Sequence, residues 1–138
     1  MSGHEASTGS HCTIISEADL LRVRQVVRAC SLELGLVDQT KFVTAASELS
    51  RNILKYAGSG GGHVHVDVLQ KDQKRGVRAV FTDSGPGISD IELAMTDGFS
   101  TGGSLGLGLP GARRLVDEFS ISSVVGQGTT VTIVKWVH

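Results

Sequence analysis

Most of the glycines of this 138-residue chain lie in four clusters, at 58–62, 85–87, 98–111 and 126–128. The sequence holds 18 glycines but only 2 prolines. Glycine accepts backbone conformations and close approaches that a side chain forbids. Glycine clusters between regular elements therefore predict loops that bring the backbone close to a ligand or to another segment. The fold must place four such loops between its helices and strands.

Two segments in the first half of the chain carry apolar residues at helical spacing. One begins at Ser16, a residue type that caps helices, and ends at Gly35. The other runs from about Asp38 to Tyr56 and ends at the first glycine cluster. Apolar residues three and four positions apart form one stripe along a helix, so the spacing predicts two amphipathic helices.

Much of the remaining chain alternates between apolar and polar residues, as half-buried strands do. Segments 63–68 and 77–82 are predicted to form a hairpin with a polar loop at 70–76. The other predicted elements are a first strand at 12–15, a short helix at 90–95, a helix at 107–118, and closing strands near 120–125 and 129–137. This order predicts an α+β two-layer α/β sandwich in which helices cover one face of a mixed sheet.

Composition and charge exclude several classes of protein. Apolar residues make up 40% and charged residues 20% of the chain, so we expect one domain at 12–138 after a disordered tail at 1–11. A net charge of −1 argues against nucleic-acid binding. The sequence shows no signal peptide and no apolar run of about 20 residues, so we expect a cytoplasmic protein that does not bind membranes. Cys12 and Cys30 lack metal-binding spacing and are expected to stay reduced.

Glu48 and Asn52 project from one face of the second predicted helix because they lie four residues apart. A carboxylate can take a proton from an attacking hydroxyl, and an amide oxygen suits a Mg²⁺ ion. Lys55, three positions further on, could reach a phosphate. A solvated helix face would carry the same residue types, so the helix alone leaves both interpretations open.

Two glycine motifs follow in the second half of the chain. The run from Asp83 to Gly87 (DSGPG) comes directly after a predicted strand, where the carboxylate could bond an exocyclic amine and the glycines could admit a flat base. An ordinary turn is the alternative. The GxGxxG pattern at 106–111 opens a predicted helix, whose free amides favour phosphate. It lacks the preceding strand of a Rossmann fold, and no P-loop sequence occurs.

Together and in this order, the three motifs resemble the N box and the two glycine boxes of the Bergerat-fold (GHKL) ATPases, over about 16–137. The 138 residues show no counterpart to the phospho-accepting hairpin of histidine kinases or to the transducer domain of gyrase relatives. The segments 46–52 (ASELSRN) and 105–119 (LGLGLPGARRLVDEF) resemble those of the single-domain serine kinases that regulate sigma factors, the RsbT-like switch kinases of stressosomes.

The resemblance implies ATP and Mg²⁺ as cofactors and suggests roles by position. Asn52 would coordinate Mg²⁺, Glu48 would be the catalytic base that activates a partner's hydroxyl, and Asp83 would bond the adenine amino group. The segment 96–105 would form a lid over ATP. The other residues implied to contact the nucleotide are Lys55, Tyr56, Gly85, Gly87, Ile88, Gly103, Ser104, Leu105, Gly106, Leu107, Gly108 and Thr130.

The resemblance also implies protein partners. These would be STAS-domain scaffold or antagonist proteins of a stressosome, phosphorylated on Ser or Thr, and a downstream output regulator that the kinase binds afterwards. Arg22, Arg24 and Arg28 on the first helix are candidates for docking, or they form an ordinary solvated face. Two alternatives stay open: an anti-sigma factor of the same fold that sequesters a sigma subunit, and a non-catalytic ATP-sensing module.

Overall fold

The computed structural model describes residues 9–96 and 108–138. In chain order, the elements are β1 (Ser10–Ile14), α1 (Glu17–Cys30), α2 (Leu36–Tyr56), a 3-10 turn (Gly58–Gly60), β2 (Gly62–Lys71), β3 (Lys74–Asp83), α3 (Ile91–Ala94), α4 (Leu109–Arg114), β4 (Glu118–Val124) and β5 (Gly128–Trp136). Every predicted helix and strand in the described ranges is present. Strand β1 begins at Ser10, inside the predicted tail, so regular structure starts earlier than the sequence indicates.

The five strands form one sheet in the order β1-β2-β3-β5-β4. All four pairings among the described strands are antiparallel, where a mixed sheet was expected. Strands β2 and β3 meet through Asp72 and Gln73 alone, whose φ angles of 51° and 68° are those of a tight hairpin turn. The polar loop predicted at 70–76 is therefore mostly strand.

The core lies between the helices and one face of the sheet, which confirms the predicted two-layer α+β architecture. Side chains alternate along a strand, so one set faces the helices and the other faces outward. The inward set is buried and includes Val64 and Val66 of β2, Ala79 and Phe81 of β3, and Val131 and Ile133 of β5. The helix stripes that cover them include Val23, Val27, Phe42, Ala45, Leu49 and Ile53.

Helix boundaries follow from local hydrogen bonds. The Asp19 carboxylate accepts the N–H groups of Ile15 at 2.8 Å and Ser16 at 3.0 Å, which lowers its pKa. Helix α1 stops at Cys30, before the predicted Gly35, because the chain turns at Ser31. Helix α4 is shorter than predicted because the chain has already joined the sheet at Asp117, whose N–H donates to the carbonyl of Val134 at 2.9 Å.

Trp136 and the two cysteines lie outside the helix and glycine motifs. Trp136 is buried, and its indole N–H donates to Glu118 at 2.7 Å. Both cysteines are free thiols, and burial raises the pKa of Cys30. Among residues 9–96 and 108–138, no three His, Cys, Asp or Glu side chains are grouped to hold a metal ion. In the same ranges, no helix has the length and hydropathy needed to span a bilayer.

Candidate functional site

A cleft opens between the C-terminal half of α2 and the neighbouring ends of the central strands. Its walls are mostly apolar, and its lining consists of Leu49, Asn52, Ile53, Tyr56, Phe81, Asp83, Ile88, Leu109, Ile121, Thr129 and Val131. About 450 Å³ of space free of protein atoms lies in it, part of it open to solvent. Small-molecule sites are typically apolar clefts with a few placed polar groups. The cleft joins the predicted helix motif to the Asp83 motif.

Asp83 is the last residue of β3 and a polar group of the cleft lining. One carboxylate oxygen, Oδ1, accepts the N–H of Gly85 at 2.8 Å, which fixes the side chain. A Cβ built at Gly85 would lie 2.7 Å from the Cα of Ala57, so only glycine fits at this position. The second carboxylate oxygen, Oδ2, takes no part in that bond and can accept a hydrogen bond from a ligand.

Thr129, rather than the predicted Thr130, lines the cleft. Thr129 pairs with Asp83, and Thr130 pairs with Thr82. Adjacent residues of a strand point to opposite faces, so Thr130 faces outward, away from the helices. Thr130 was predicted to contact the nucleotide, but the register of β5 against β3 puts Thr129 rather than Thr130 on the inward face.

Ser123 supports this wall of the cleft, and sequence reasoning missed it. Its Oγ accepts the N–H of Ile88 at 2.7 Å, donates to the carbonyl of Gly128 at 3.1 Å, and lies 2.8 Å from Oγ1 of Thr129. A serine hydroxyl has one hydrogen, so when Ser123 donates it to Gly128, Thr129 is the donor in the last contact. The lone pairs of Thr129 Oγ1 can then accept a hydrogen bond in the cleft. The only sequence signal for Ser123 was a polar residue on the inward face of β4.

Gly87 has a packing role in addition to the predicted approach of a base. Its φ is +80°, and a Cβ built on it would lie 2.6 Å from the carbonyl oxygen of Val124. The glycine therefore lets its loop pack against the β4–β5 turn, where the N–H of Gly126 donates to the carbonyl of Pro86 at 2.8 Å. This packing holds Ile88 in the cleft wall.

Glu48 lies one helical turn before Asn52, close to the start of α4. Its carboxylate is half-exposed, and its Oε1 accepts a hydrogen bond from Arg51 Nη1 at 3.0 Å. A Cβ built at Gly108 would lie 3.1 Å from the other oxygen, Oε2. Gly108 has φ +68° and immediately precedes Leu109, the first residue of α4. The predicted base is therefore held between an arginine and the last glycine-loop residue that the structure describes.

The remaining predicted residues divide into three groups. Asn52 and Tyr56 line the cleft, whereas Lys55 does not; its ammonium lies 5.6 Å from the centre of the Tyr56 ring. Gly103, Ser104, Leu105, Gly106 and Leu107, and the predicted lid from residue 97 onward, lie outside the described residues. Among the helix α1 arginines, Arg24 donates to Ser47 at 3.0 Å and so braces α1 against α2.

The lining fits a purine nucleotide on chemical grounds. Aliphatic side chains such as Ile53, Ile88 and Val131 can cover the two faces of a flat ring. The free oxygen of Asp83 and the oxygen of Thr129 are acceptors suited to an exocyclic amine. Asn52 offers an amide group at the edge of the cleft.

Comparisons with known proteins agree with this geometry. Residues 37–137 match the family described as histidine kinase-, DNA gyrase B- and HSP90-like ATPase. The chain is 47% identical over 127 residues to the serine/threonine-protein kinase RsbT of Bacillus subtilis (strain 168), covering 91% of this chain and 94% of that protein. It is 30% identical over 119 residues to the anti-sigma F factor of Bacillus licheniformis, covering 83% of this chain and 80% of that protein.

The matched family segment spans α2, the cleft and all of the strands except β1. The resemblance inferred from three short motifs is therefore confirmed across most of the chain, and the family implies the use of ATP. The chain belongs to the histidine kinase-, DNA gyrase B- and HSP90-like ATPase family and, within it, to the RsbT-like serine/threonine-protein kinases.

Proposed function

We propose that this kinase transfers a phosphoryl group from Mg²⁺-bound ATP to a Ser or Thr of a STAS-domain protein in a stressosome-type switch. It then binds a downstream output regulator, and it acts in the cytoplasm. The observation that carries the proposal is the position of Glu48, whose carboxylate lies against Gly108 one helical turn from the cleft residue Asn52. Binding of a nucleotide and activation of a hydroxyl are thereby assigned to adjacent parts of one helix.

Recognition of the base is assigned to the deep end of the cleft. Asp83 and Thr129 are paired across β3 and β5, so their acceptor oxygens lie side by side on the inward face. Both are oriented by bonds within the protein, Asp83 by Gly85 and Thr129 by Ser123. Preoriented acceptors lose little conformational freedom when a ligand donates to them, which favours affinity and selects a purine with an amino group.

We assign the phosphates of ATP to the side of Asn52 that faces away from Asp83 and Thr129. The amide oxygen of Asn52 suits the hard Mg²⁺ ion. Bound ATP with Mg²⁺ supplies the transferable phosphoryl group, and its transfer depends mainly on positioning and charge neutralisation. Glu48 can accept the proton of a hydroxyl brought beside Gly108. The half-exposed carboxylate is open to a protein substrate as well as to a small molecule.

Transfer of labelled phosphate from ATP to STAS-domain proteins encoded beside this chain tests the proposal. The wild type should label such a protein on Ser or Thr in the presence of Mg²⁺. Glu48→Gln should lose at least about 100-fold in transfer rate, within the range of general-base contributions, and keep its affinity for ATP. Glu33→Gln is the matched control, because Glu33 is similarly exposed and also pairs with an arginine. Labelling of no STAS protein by the wild type would contradict the proposal and favour an ATP-sensing module.

Sequestration of a sigma subunit is a second candidate, because the chain is also similar to anti-sigma F factors over most of its length. Affinity capture from cells separates the two functions. Recovery of a STAS-domain assembly supports the kinase switch, and recovery of a sigma subunit in stoichiometric amount supports sequestration.

A further inference from the structure

Arg51 lies next to the proposed base Glu48, and the binding of a nucleotide in the cleft gives it no role. Its Nη1 donates to Glu48 Oε1 at 3.0 Å, and its side chain is 51% exposed. It is not part of the cleft lining. The guanidinium has five N–H donors in a planar fork, so a contact through one nitrogen leaves donors that can bind a second group.

The surface around Glu48 restricts how a protein substrate can approach it. Between Phe42 and Ser50, every residue of α2 is buried except Thr44 and Glu48. From Lys41 to the end of this helix the accessible side chains therefore form a narrow strip that runs through Thr44, Glu48 and Arg51 to Lys55. A hydroxyl that reaches Glu48 from solvent brings its neighbouring residues onto this strip. The strip has three cations, Lys41, Arg51 and Lys55, and one anion, Glu48.

The pair between Arg51 and Glu48 is also of a kind that separates easily. The two residues are three apart on a helix, and both side chains are about half exposed. Ion pairs of this type contribute little to stability because water and salt screen them. A carboxylate from another protein can therefore replace Glu48 as the partner of Arg51, which frees Glu48 Oε1.

We infer that Arg51 determines substrate specificity: it binds an acidic side chain that lies close to the phosphorylated Ser or Thr of the protein substrate. In the free kinase the same guanidinium holds Glu48. Docking of the acidic residue moves Arg51 away from the base when the acceptor hydroxyl arrives. This inference depends on the proposed function, because it assumes that Glu48 activates the hydroxyl of a protein.

Steady-state phosphorylation of a STAS-domain protein by Arg51→Gln tests the inference. The KM for the protein substrate should rise at least about tenfold, while kcat changes by less than about threefold and ATP affinity is unchanged. Arg51→Lys should recover part of the loss, since a lysine keeps the charge without the planar fork. Arg75→Gln is the matched control, because Arg75 pairs with Glu33 at 2.8 Å and is 54% exposed.

A charge reversal distinguishes a role of Arg51 in binding the protein substrate from a role in holding Glu48 alone. Arg51→Glu should be rescued by a substrate in which the acidic residues close in sequence to the phosphorylated residue are changed to lysine. An unchanged KM in Arg51→Gln, or a fall in kcat alone, would overturn the inference and leave Arg51 as a support for Glu48. Failure of the wild type to phosphorylate any STAS protein would instead count against the proposed function.

Discussion

Gly108 lies against Glu48 so closely that a Cβ at position 108 would come within 3.1 Å of Oε2. The contact joins the end of the glycine-rich loop to the residue proposed as the base. Gly108 also has a φ of +68°, in the left-handed region. The left-handed backbone favours glycine at this position, and any side chain there would displace the Glu48 carboxylate.

Gly108→Ala should reduce phosphoryl transfer at least about tenfold, because the added methyl group pushes the Glu48 carboxylate out of place. The left-handed conformation alone costs an alanine about 1–2 kcal/mol. Gly58→Ala provides the comparison, since Gly58 has φ +80° and a Cβ built there would meet nothing within 4 Å. Both variants should lose similar stability in urea unfolding, and only Gly108→Ala should lose transfer rate. Equal kinetics in the two variants would contradict the role of the contact.

Asp83→Asn should weaken ATP binding by about 10- to 100-fold, measured by titration calorimetry. Asparagine keeps an acceptor for the N–H of Gly85, so the loop should stay in place. It replaces the second oxygen with a donor, which would face the proposed adenine amino group unfavourably and lose a charged hydrogen bond of about 1.5–3 kcal/mol. Asp67→Asn, which removes a carboxylate paired with Arg78, should leave ATP affinity unchanged.

Thr129→Val should lower ATP affinity by about fivefold, because one neutral hydrogen bond contributes about 1 kcal/mol. Thr130→Val should change the affinity less than about twofold, since Thr130 faces outward. The two variants remove the same hydroxyl from adjacent residues of one strand, so each serves as the control for the other. The opposite ranking of the two affinities would restore the role that the sequence motif suggested for Thr130.

Periodicity predicted a helix at Asn52 and a strand that ends at Asp83, and the family resemblance then placed the two residues in one site. Asn52 lies on a helix stripe, and Asp83 ends an alternating strand. The choice between Thr129 and Thr130 could not be made in this way. It depends on the pairing of β5 with β3, and a shift of one residue reverses the face of every side chain.

Contacts between segments that are distant along the chain could not be predicted from the sequence either. The need for glycine at position 87 comes from the backbone of Val124, and the orientation of Thr129 comes from Ser123. Neither partner carries a motif of its own. The antiparallel pairing of the strands likewise depends on their connections, such as the one from β1 to β2 through α1 and α2. The alternation of apolar and polar residues within a strand does not specify these connections.

The C-terminal strand is held by a buried cation, and this arrangement makes stability depend on pH. Lys135 is only 7% exposed, and its ammonium lies 3.4 Å from Asp117 and 3.5 Å from Asp38. Burial of Asp117 would raise its pKa, but the N–H of Trp136 at 2.7 Å and the charge of Lys135 outweigh burial. The pKa of Asp117 in the folded protein is therefore below the ordinary value of 3.8.

Asp117→Asn should lower the free energy of unfolding at pH 7 by about 1–3 kcal/mol, the usual range for a hydrogen bond to a charged group. Because the folded protein binds the Asp117 proton less tightly than the unfolded chain does, this stabilisation is complete above about pH 4 and disappears as the pH falls through the folded pKa. The difference between wild type and variant in urea unfolding, measured at pH 7 and in acid, should accordingly shrink as the pH falls through the folded pKa of Asp117. Asp72→Asn, in the exposed hairpin turn, should stay within about 0.5 kcal/mol of wild type at both pH values. A difference between wild type and Asp117→Asn that persists undiminished in acid would show that the carboxylate's charge is not its source.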